Sequence, residues 1–130
     1  MSKTHKPILC LDFDGVIHSY TSRWQGADVI SDGPVDGAIA FMLGALHRFD
    51  VVIFSSRSNQ PGGLKAMQHW LKEHAGACWW ESPAGPGLED VRFVTEKPPA
   101  LVTIDDRAIT FTGAWPSLES IAAFKPWNKP

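Results

Sequence analysis

The chain has 130 residues, of which 44% are hydrophobic and 20% are charged, and these proportions are typical of a folded globular domain rather than a disordered chain. There are 12 basic and 14 acidic residues, a net charge of −2, so the composition predicts no general nucleic-acid-binding surface. No apolar run is long enough for a membrane span, and the N-terminus shows no signal-peptide pattern. The two cysteines form no close pair, which is typical of free thiols in a reducing compartment. We therefore expect one domain over residues 1–130, cytoplasmic and without membrane contact.

The first predicted element is a buried strand that ends in two carboxylates. The apolar run Ile8–Leu11 is followed by Asp12, Phe13, Asp14 and Gly15. Because side chains alternate along a strand, Asp12 and Asp14 are expected on the same side of its carboxyl end, where open α/β sheets bind ligands. Two buried acids need a cation or a proton to compensate them. The pattern favours a magnesium-dependent phosphoryl-transfer site, although Asp and Gly also form ordinary surface turns.

A polar segment, residues 17–32, follows this strand and shows little helical periodicity. We expect it to form a loop or small hairpin, called the flap below, over the carboxyl end of the strand. Its side chains His18 and Trp24 are candidates for contacts with the substrate beyond its phosphate. The alternative for both is ordinary flap surface.

The remaining elements follow from hydrophobic periodicity and turn residues. Apolar residues between Val35 and Phe49 recur at steps of three and four, which predicts an amphipathic helix that starts at Asp32-Gly33-Pro34. A second helix is expected over 64–74, ending at Gly76. Strands are expected at 51–54, 91–95 and 101–104, and a last helix at 117–124. This order predicts an α/β fold with a mostly parallel sheet and helices on both faces.

A second acidic pair follows the last predicted strand. Asp105 and Asp106 come directly after the apolar run 101–104, and if this strand lies parallel to the first, their carboxylates meet those of Asp12 and Asp14. Four like charges at one edge require a divalent cation, and oxygen ligands favour Mg²⁺ over zinc. Taken alone, the pair is equally compatible with a solvated turn.

Two further stretches supply candidates for binding phosphate. Ser55, Ser56 and Arg57 follow the second strand, where a hydroxyl or a backbone N–H can meet a phosphate oxygen. Lys97 precedes the last strand and could neutralise the phosphate. The alternatives are a structural salt bridge for Arg57 and an exposed loop position for Lys97.

Together these stretches resemble the four motifs of the haloacid dehalogenase superfamily of phosphohydrolases. The matching strings are LDFDGV, VVIFSSR, TEKPPA and TIDDR, in the family's order over residues 8–107. The string KPPALVTIDDRAITFTGAW resembles small phosphatase-like proteins of bacteria and phages. The resemblance implies a three-layer α/β/α Rossmann-like core with a small flap after the first strand and no cap domain.

The resemblance also implies residue roles in an Mg²⁺-dependent phosphomonoester hydrolase. Asp12 would attack phosphorus and form an aspartyl-phosphate, and Asp14 would act as general acid and then as general base. Ser55 and Lys97 would hold the phosphoryl group. Asp106, with Asp105 further out, would complete the metal site of Asp12 and Asp14.

The expected substrate is a nucleotide, a nucleic-acid end or another small phosphate ester. A phosphotransferase on the same site and a non-catalytic phosphate-binding module are the alternatives, and the intact pair Asp12 and Asp14 argues against the module. A site without a cap indicates a macromolecular substrate or closure by a partner subunit in a homo-oligomer. Lys97 is only eight residues before Asp105, too few for the helix that often intervenes in the family, so the lysine must reach the site from a strand end.

Overall fold

The computed structural model describes residues 6–128, which form an α/β fold around one parallel sheet. Its strands are β1 (Ile8–Leu11), β2 (Asp50–Ile53), β3 (Arg92–Phe93) and β4 (Val102–Ile104), in the spatial order β3-β2-β1-β4. All three strand pairs are parallel, and Leu11 lies beside both Ile53 and Ile104. The predicted parallel sheet is therefore confirmed, and β1, β2 and β4 end at one edge.

The helices are α1 (Ala38–Ala45), α2 (Gly63–Ala75) and α3 (Leu118–Ala122), with short 3-10 helices at Gly76–Trp79 and Leu88–Asp90. Helix α2 ends where the sequence predicts, because Gly76 adopts a positive φ of 54°. Helix α1 starts later than predicted. The N–H of Val35 donates to the carbonyl of Ile17 over 2.8 Å, and His18 forms a bridge with Pro34, so these contacts hold the expected first turn in extended form against the flap.

The core lies between the sheet and helices α1 and α2. Its most buried members from these elements are Leu9, Leu11, Met42, Val51, Ile53, Met67 and Leu71. The central strands are apolar except for Asp50 at the start of β2, because the inner strands of a parallel sheet are covered on both faces. Phe13, which is fully buried, extends this core beyond β1 and anchors the loop that carries the first two aspartates.

The last third of the chain packs less closely than the rest. Strand β4 lies at the sheet edge and is exposed along its length. Leu118 and Ile121 of α3 are 83% and 45% exposed, so the last predicted helix forms without burying its apolar side chains.

Both cysteines are free thiols. Over residues 6–128, no helix has the length and apolar character that a membrane crossing requires.

Candidate active site

Three of the predicted carboxylates meet at the carboxyl edge of the sheet. The N–H of Asp12 donates to the carbonyl of Ile104 over 3.0 Å, which ties the residue after β1 to the last residue of β4. As a result, one carboxylate oxygen from each of Asp12, Asp105 and Asp106 lies within 4.8 Å of the others. We call these three residues the acidic triad. Parallel pairing of β1 with β4 is sufficient to produce it.

The donor set of the triad suits a divalent cation. Asp12 and Asp106 are half-buried and Asp105 is exposed. One oxygen of Asp106, Oδ1, is buried and has no hydrogen-bond partner among residues 6–128. A buried carboxylate oxygen without a partner is costly, and a metal ion would remove that cost. Three carboxylates with room for water on the exposed side match the preferences of Mg²⁺.

The raised pKa values in the triad also favour a bound cation. Burial raises the pKa of Asp12, and the neighbouring charges of Asp105 and Asp106 raise it further, to about 8. Burial likewise raises the pKa of Asp106. Without a cation, these carboxyl groups therefore hold protons at a pH where isolated aspartates have lost them.

Asp14 lies outside the triad, in a clamp formed by Arg57 and His18. Arg57 Nε donates to both carboxylate oxygens, over 2.9 and 3.2 Å, and His18 Nδ1 lies 2.9 Å from Oδ1. Burial by itself would raise the pKa of Asp14. The hydrogen bonds from His18 and Arg57 outweigh it and lower the pKa, so the clamp holds Asp14 as a carboxylate.

His18 is a buried residue and does not form part of the flap surface. Only 1% of it is exposed, and its ring packs against Phe13, Tyr20 and Trp70. The N–H of Asp32 donates to Nε2 over 3.2 Å. We assign the proton to Nδ1 from this hydrogen-bond network, so that His18 donates to Asp14 as a neutral imidazole. This geometry gives His18 a positioning role in place of the predicted substrate contact.

Arg57 joins the flap to Asp14. Its side chain is fully buried, and Nη1 donates over 2.9 to 3.0 Å to three flap carbonyls, those of Gly26, Ala27 and Val29. The ring of Trp24, which is 45% exposed, lies 4.7 Å from the guanidinium carbon. Of the two interpretations of Arg57, the geometry matches the structural salt bridge, since no part of the guanidinium faces solvent.

A cavity of about 210 Å³ brings together the other predicted residues. Its lining consists of Cys10, Asp12, Phe54, Ser55, Ser56, Lys97, Thr103 and Asp105. The hydroxyl of Ser55 accepts from the N–H of Arg57 over 3.1 Å and keeps its own proton free to donate. The backbone N–H of Ser55 already donates to Ser58, so the hydroxyl is the group that it offers to a phosphate. Lys97 is exposed and contributes to the lining of the same cavity.

The sequence patterns missed one contact to the site, made by the C-terminal segment. Trp127 Nε1 donates to the carbonyl of Gly15 over 2.7 Å, and Asn128 Nδ2 donates to the carbonyl of Ser19 over 3.1 Å. Trp127 is 112 positions from Gly15 along the chain. The high tryptophan count was the one signal available, and it does not say which ring lies where.

A second, apolar groove of about 290 Å³ runs along α1 and β4 and has Asp36 as the single acid in its lining. It offers little to a charged substrate, whereas the cavity beside Asp12 combines carboxylates, a hydroxyl and an ammonium group.

Comparison of the chain with protein-family models, curated proteins and solved structures finds no match, so the interpretation of the site depends on these residues themselves.

Proposed function

We propose that the chain is an Mg²⁺-dependent phosphomonoester hydrolase of the haloacid dehalogenase type that acts through an aspartyl-phosphate on Asp12. The observation that carries the proposal is the convergence of Asp12, Asp105 and Asp106 within 4.8 Å, beside a cavity lined by Ser55 and Lys97. The parallel sheet, with this site at its carboxyl edge and a flap in place of a cap domain, supports a Rossmann-like core of three layers.

In this proposal the acidic triad holds the cation. Bound Mg²⁺ supplies positive charge that offsets the negative charge of the phosphoryl oxygens and of the carboxylates around them. The buried, unpaired Oδ1 of Asp106 is the donor most in need of such a partner. The Asp14 carboxylate is occupied by Arg57 and His18, so we leave it out of the ligand set. Its role in proton transfer follows from the resemblance of LDFDGV to the haloacid dehalogenase motif.

In the first step a carboxylate oxygen of Asp12 attacks phosphorus, and the bond between phosphorus and the leaving oxygen breaks. Asp14 delivers a proton to that oxygen. In the second step water attacks the aspartyl-phosphate, Asp14 takes the proton of the water, and phosphate leaves Asp12 free. The clamp favours the carboxylate form of Asp14, which suits the second step most directly. The proton gained there is the one delivered in the next turnover.

Ser55 and Lys97 hold the phosphoryl group while Asp12 attacks. The Ser55 hydroxyl donates to one phosphoryl oxygen, and the Lys97 ammonium neutralises charge at the mouth of the cavity. Such fixed donors are effective because phosphoryl transfer depends on positioning and charge stabilisation more than on elaborate covalent chemistry.

The test is hydrolysis of p-nitrophenyl phosphate in Mg²⁺ and in EDTA by the wild type, Asp12→Asn and the control Asp36→Asn, which changes an exposed acid that is not part of the triad. We expect the wild type to be active in Mg²⁺ and inactive in EDTA. Asp12→Asn should lose at least about 1,000-fold in activity, because an amide cannot attack phosphorus, and Asp36→Asn should match the wild type. Mg²⁺-dependent activity in Asp12→Asn at the wild-type level would refute the mechanism.

Two further measurements separate the hydrolase from its alternatives. Acid quenching during turnover should trap a phosphorylated wild-type chain that hydroxylamine cleaves, because an acyl phosphate reacts with that nucleophile. A purely binding module would form no such species. Turnover in the presence of an added alcohol distinguishes a phosphotransferase, which would pass the phosphoryl group to the alcohol in preference to water.

A further inference from the structure

The indole of Trp127 contacts the site through a hydrogen bond from its N–H group. Its Nε1 donates to the carbonyl of Gly15 over 2.7 Å, yet 66% of the residue is exposed. The segment around it is well held, because Pro126 is buried and the neighbouring Asn128 hydrogen-bonds to Ser19 and Arg23. A large aromatic ring that served only as a brace would bury its faces. Trp127 leaves them open.

The ring is bonded to the neighbour of the residue that meets the leaving oxygen in the proposed mechanism. Gly15 directly follows Asp14, the residue assigned to proton transfer with the leaving oxygen. The cavity beside Asp12 has about 210 Å³, which is small for a whole ligand but suits a phosphoryl group. The rest of the substrate must therefore lie outside the cavity, and since the leaving oxygen meets Asp14 in the proposed mechanism, the leaving group begins beside the Asp12–Gly15 loop.

A second tryptophan is linked to Asp14 through Arg57. Trp24, 45% exposed, packs against Arg57, whose Nε donates to Asp14. Two partly exposed indoles thus lie near the loop Asp12–Gly15, since Trp127 binds Gly15 directly and Trp24 packs on Arg57, which binds Asp14. Exposed aromatic faces at fixed positions are what proteins use to stack nucleobases.

We propose that Trp127 is a specificity-determining residue that stacks on the base of a nucleoside leaving group, which makes the substrate a nucleotide or the phosphorylated end of a nucleic-acid strand. The inference rests on the proposed phosphohydrolase. Trp127 contacts the part of the substrate that does not react, so it acts on binding and leaves the chemistry at phosphorus to the aspartates.

The test compares Trp127→Ala, Trp127→Phe and the control Trp80→Ala on a nucleoside 5′-monophosphate and on glycerol 2-phosphate, which has no ring. Trp80 is 60% exposed and comes after α2. Because α2 connects the parallel strands β2 and β3, it runs from the carboxyl edge of the sheet to the opposite edge, away from the site. We expect Trp127→Ala to raise KM about tenfold for the nucleotide, because stacking of one base contributes an effect of this order, and to leave glycerol 2-phosphate unchanged.

Phenylalanine at position 127 separates stacking from support of the loop. Trp127→Phe keeps an aromatic face but loses the N–H that binds Gly15, so we expect its nucleotide KM to stay within about threefold of the wild type. If Trp127→Phe and Trp127→Ala lose activity equally on both substrates, the ring only supports the loop and the inference is wrong. Trp80→Ala should match the wild type throughout, and a nucleotide defect in it would also overturn the assignment.

A binding measurement keeps this inference separate from the phosphatase. Calorimetry of the nucleotide with Asp12→Asn and with Asp12→Asn/Trp127→Ala, both in Mg²⁺, needs no turnover. We expect about tenfold weaker binding in the double variant, and equal or undetectable binding in both would overturn the role of Trp127. An inactive wild type with this binding difference would count against the phosphatase alone. A 5′-phosphorylated oligonucleotide with a lower KM than the mononucleotide identifies a strand end as the source of the nucleoside.

Discussion

Replacing Gly15 by alanine should remove the metal site while leaving the fold intact. Gly15 has a φ of 83°, and a Cβ at this position would lie 2.8 Å from the carboxylate carbon of Asp106 and closer still to Oδ2. Ordinary contacts begin at 3.4 Å, so the Asp106 carboxylate must shift by about 0.6 Å or more. Mg²⁺ requires ligand distances of about 2.0–2.1 Å. A shift of this size therefore takes Asp106 out of the ligand set.

Gly37→Ala is the matched control, because Gly37 has the same φ of 83° and a Cβ there meets nothing within 4 Å. Both variants should lose about 1 kcal/mol of folding stability from the left-handed backbone conformation. Only Gly15→Ala should also lose Mg²⁺ affinity, by about tenfold or more, which is about 1.4 kcal/mol. Urea unfolding measures the shared loss, and calorimetric titration with Mg²⁺ measures the difference. Equal Mg²⁺ affinity in the two variants would refute the placement of Asp106 in the metal site.

Two further predictions concern the buried charges. Arg57→Lys should destabilise the fold by about 3 kcal/mol in urea unfolding, because a lysine cannot bind Asp14 and the flap carbonyls together. The control Arg92→Lys changes the exposed pair with Asp50 and should lower the free energy of unfolding by less than about 1 kcal/mol. Equal losses in the two variants would contradict the clamp. In EDTA, stability should fall as pH rises from about 4 to about 8, because Asp12, with its pKa raised to about 8, binds more protons folded than unfolded. Asp12→Asn should lack this part of the decline, and parallel pH profiles for the two proteins would show that Asp12 is not the group responsible.

The strands of the sheet could be predicted from the sequence, and so could a meeting of the acids on the condition that β1 and β4 are parallel neighbours. Apolar runs that end in carboxylates predicted parallel strands at β1 and β4, and parallel neighbours present their carboxyl ends at one edge. The structure shows that β1 and β4 are such neighbours, and Asp12 meets Asp105 and Asp106 there, whereas Asp14 lies outside the group. Local periodicity and terminal residues encode such features because they depend on backbone direction and burial, which short stretches of sequence specify.

The contacts that hold Asp14 and the positions of the aromatic rings depend on tertiary packing and could not be predicted. Arg57 reaches Asp14 across 43 positions and Trp127 reaches Gly15 across 112, and both contacts depend on how loops pack rather than on any periodic pattern. The late start of α1 has the same origin, since Val35 bonds to Ile17 in the flap. Side-chain hydrogen bonds between distant loops form only after the core has positioned both partners, so no local rule assigns them.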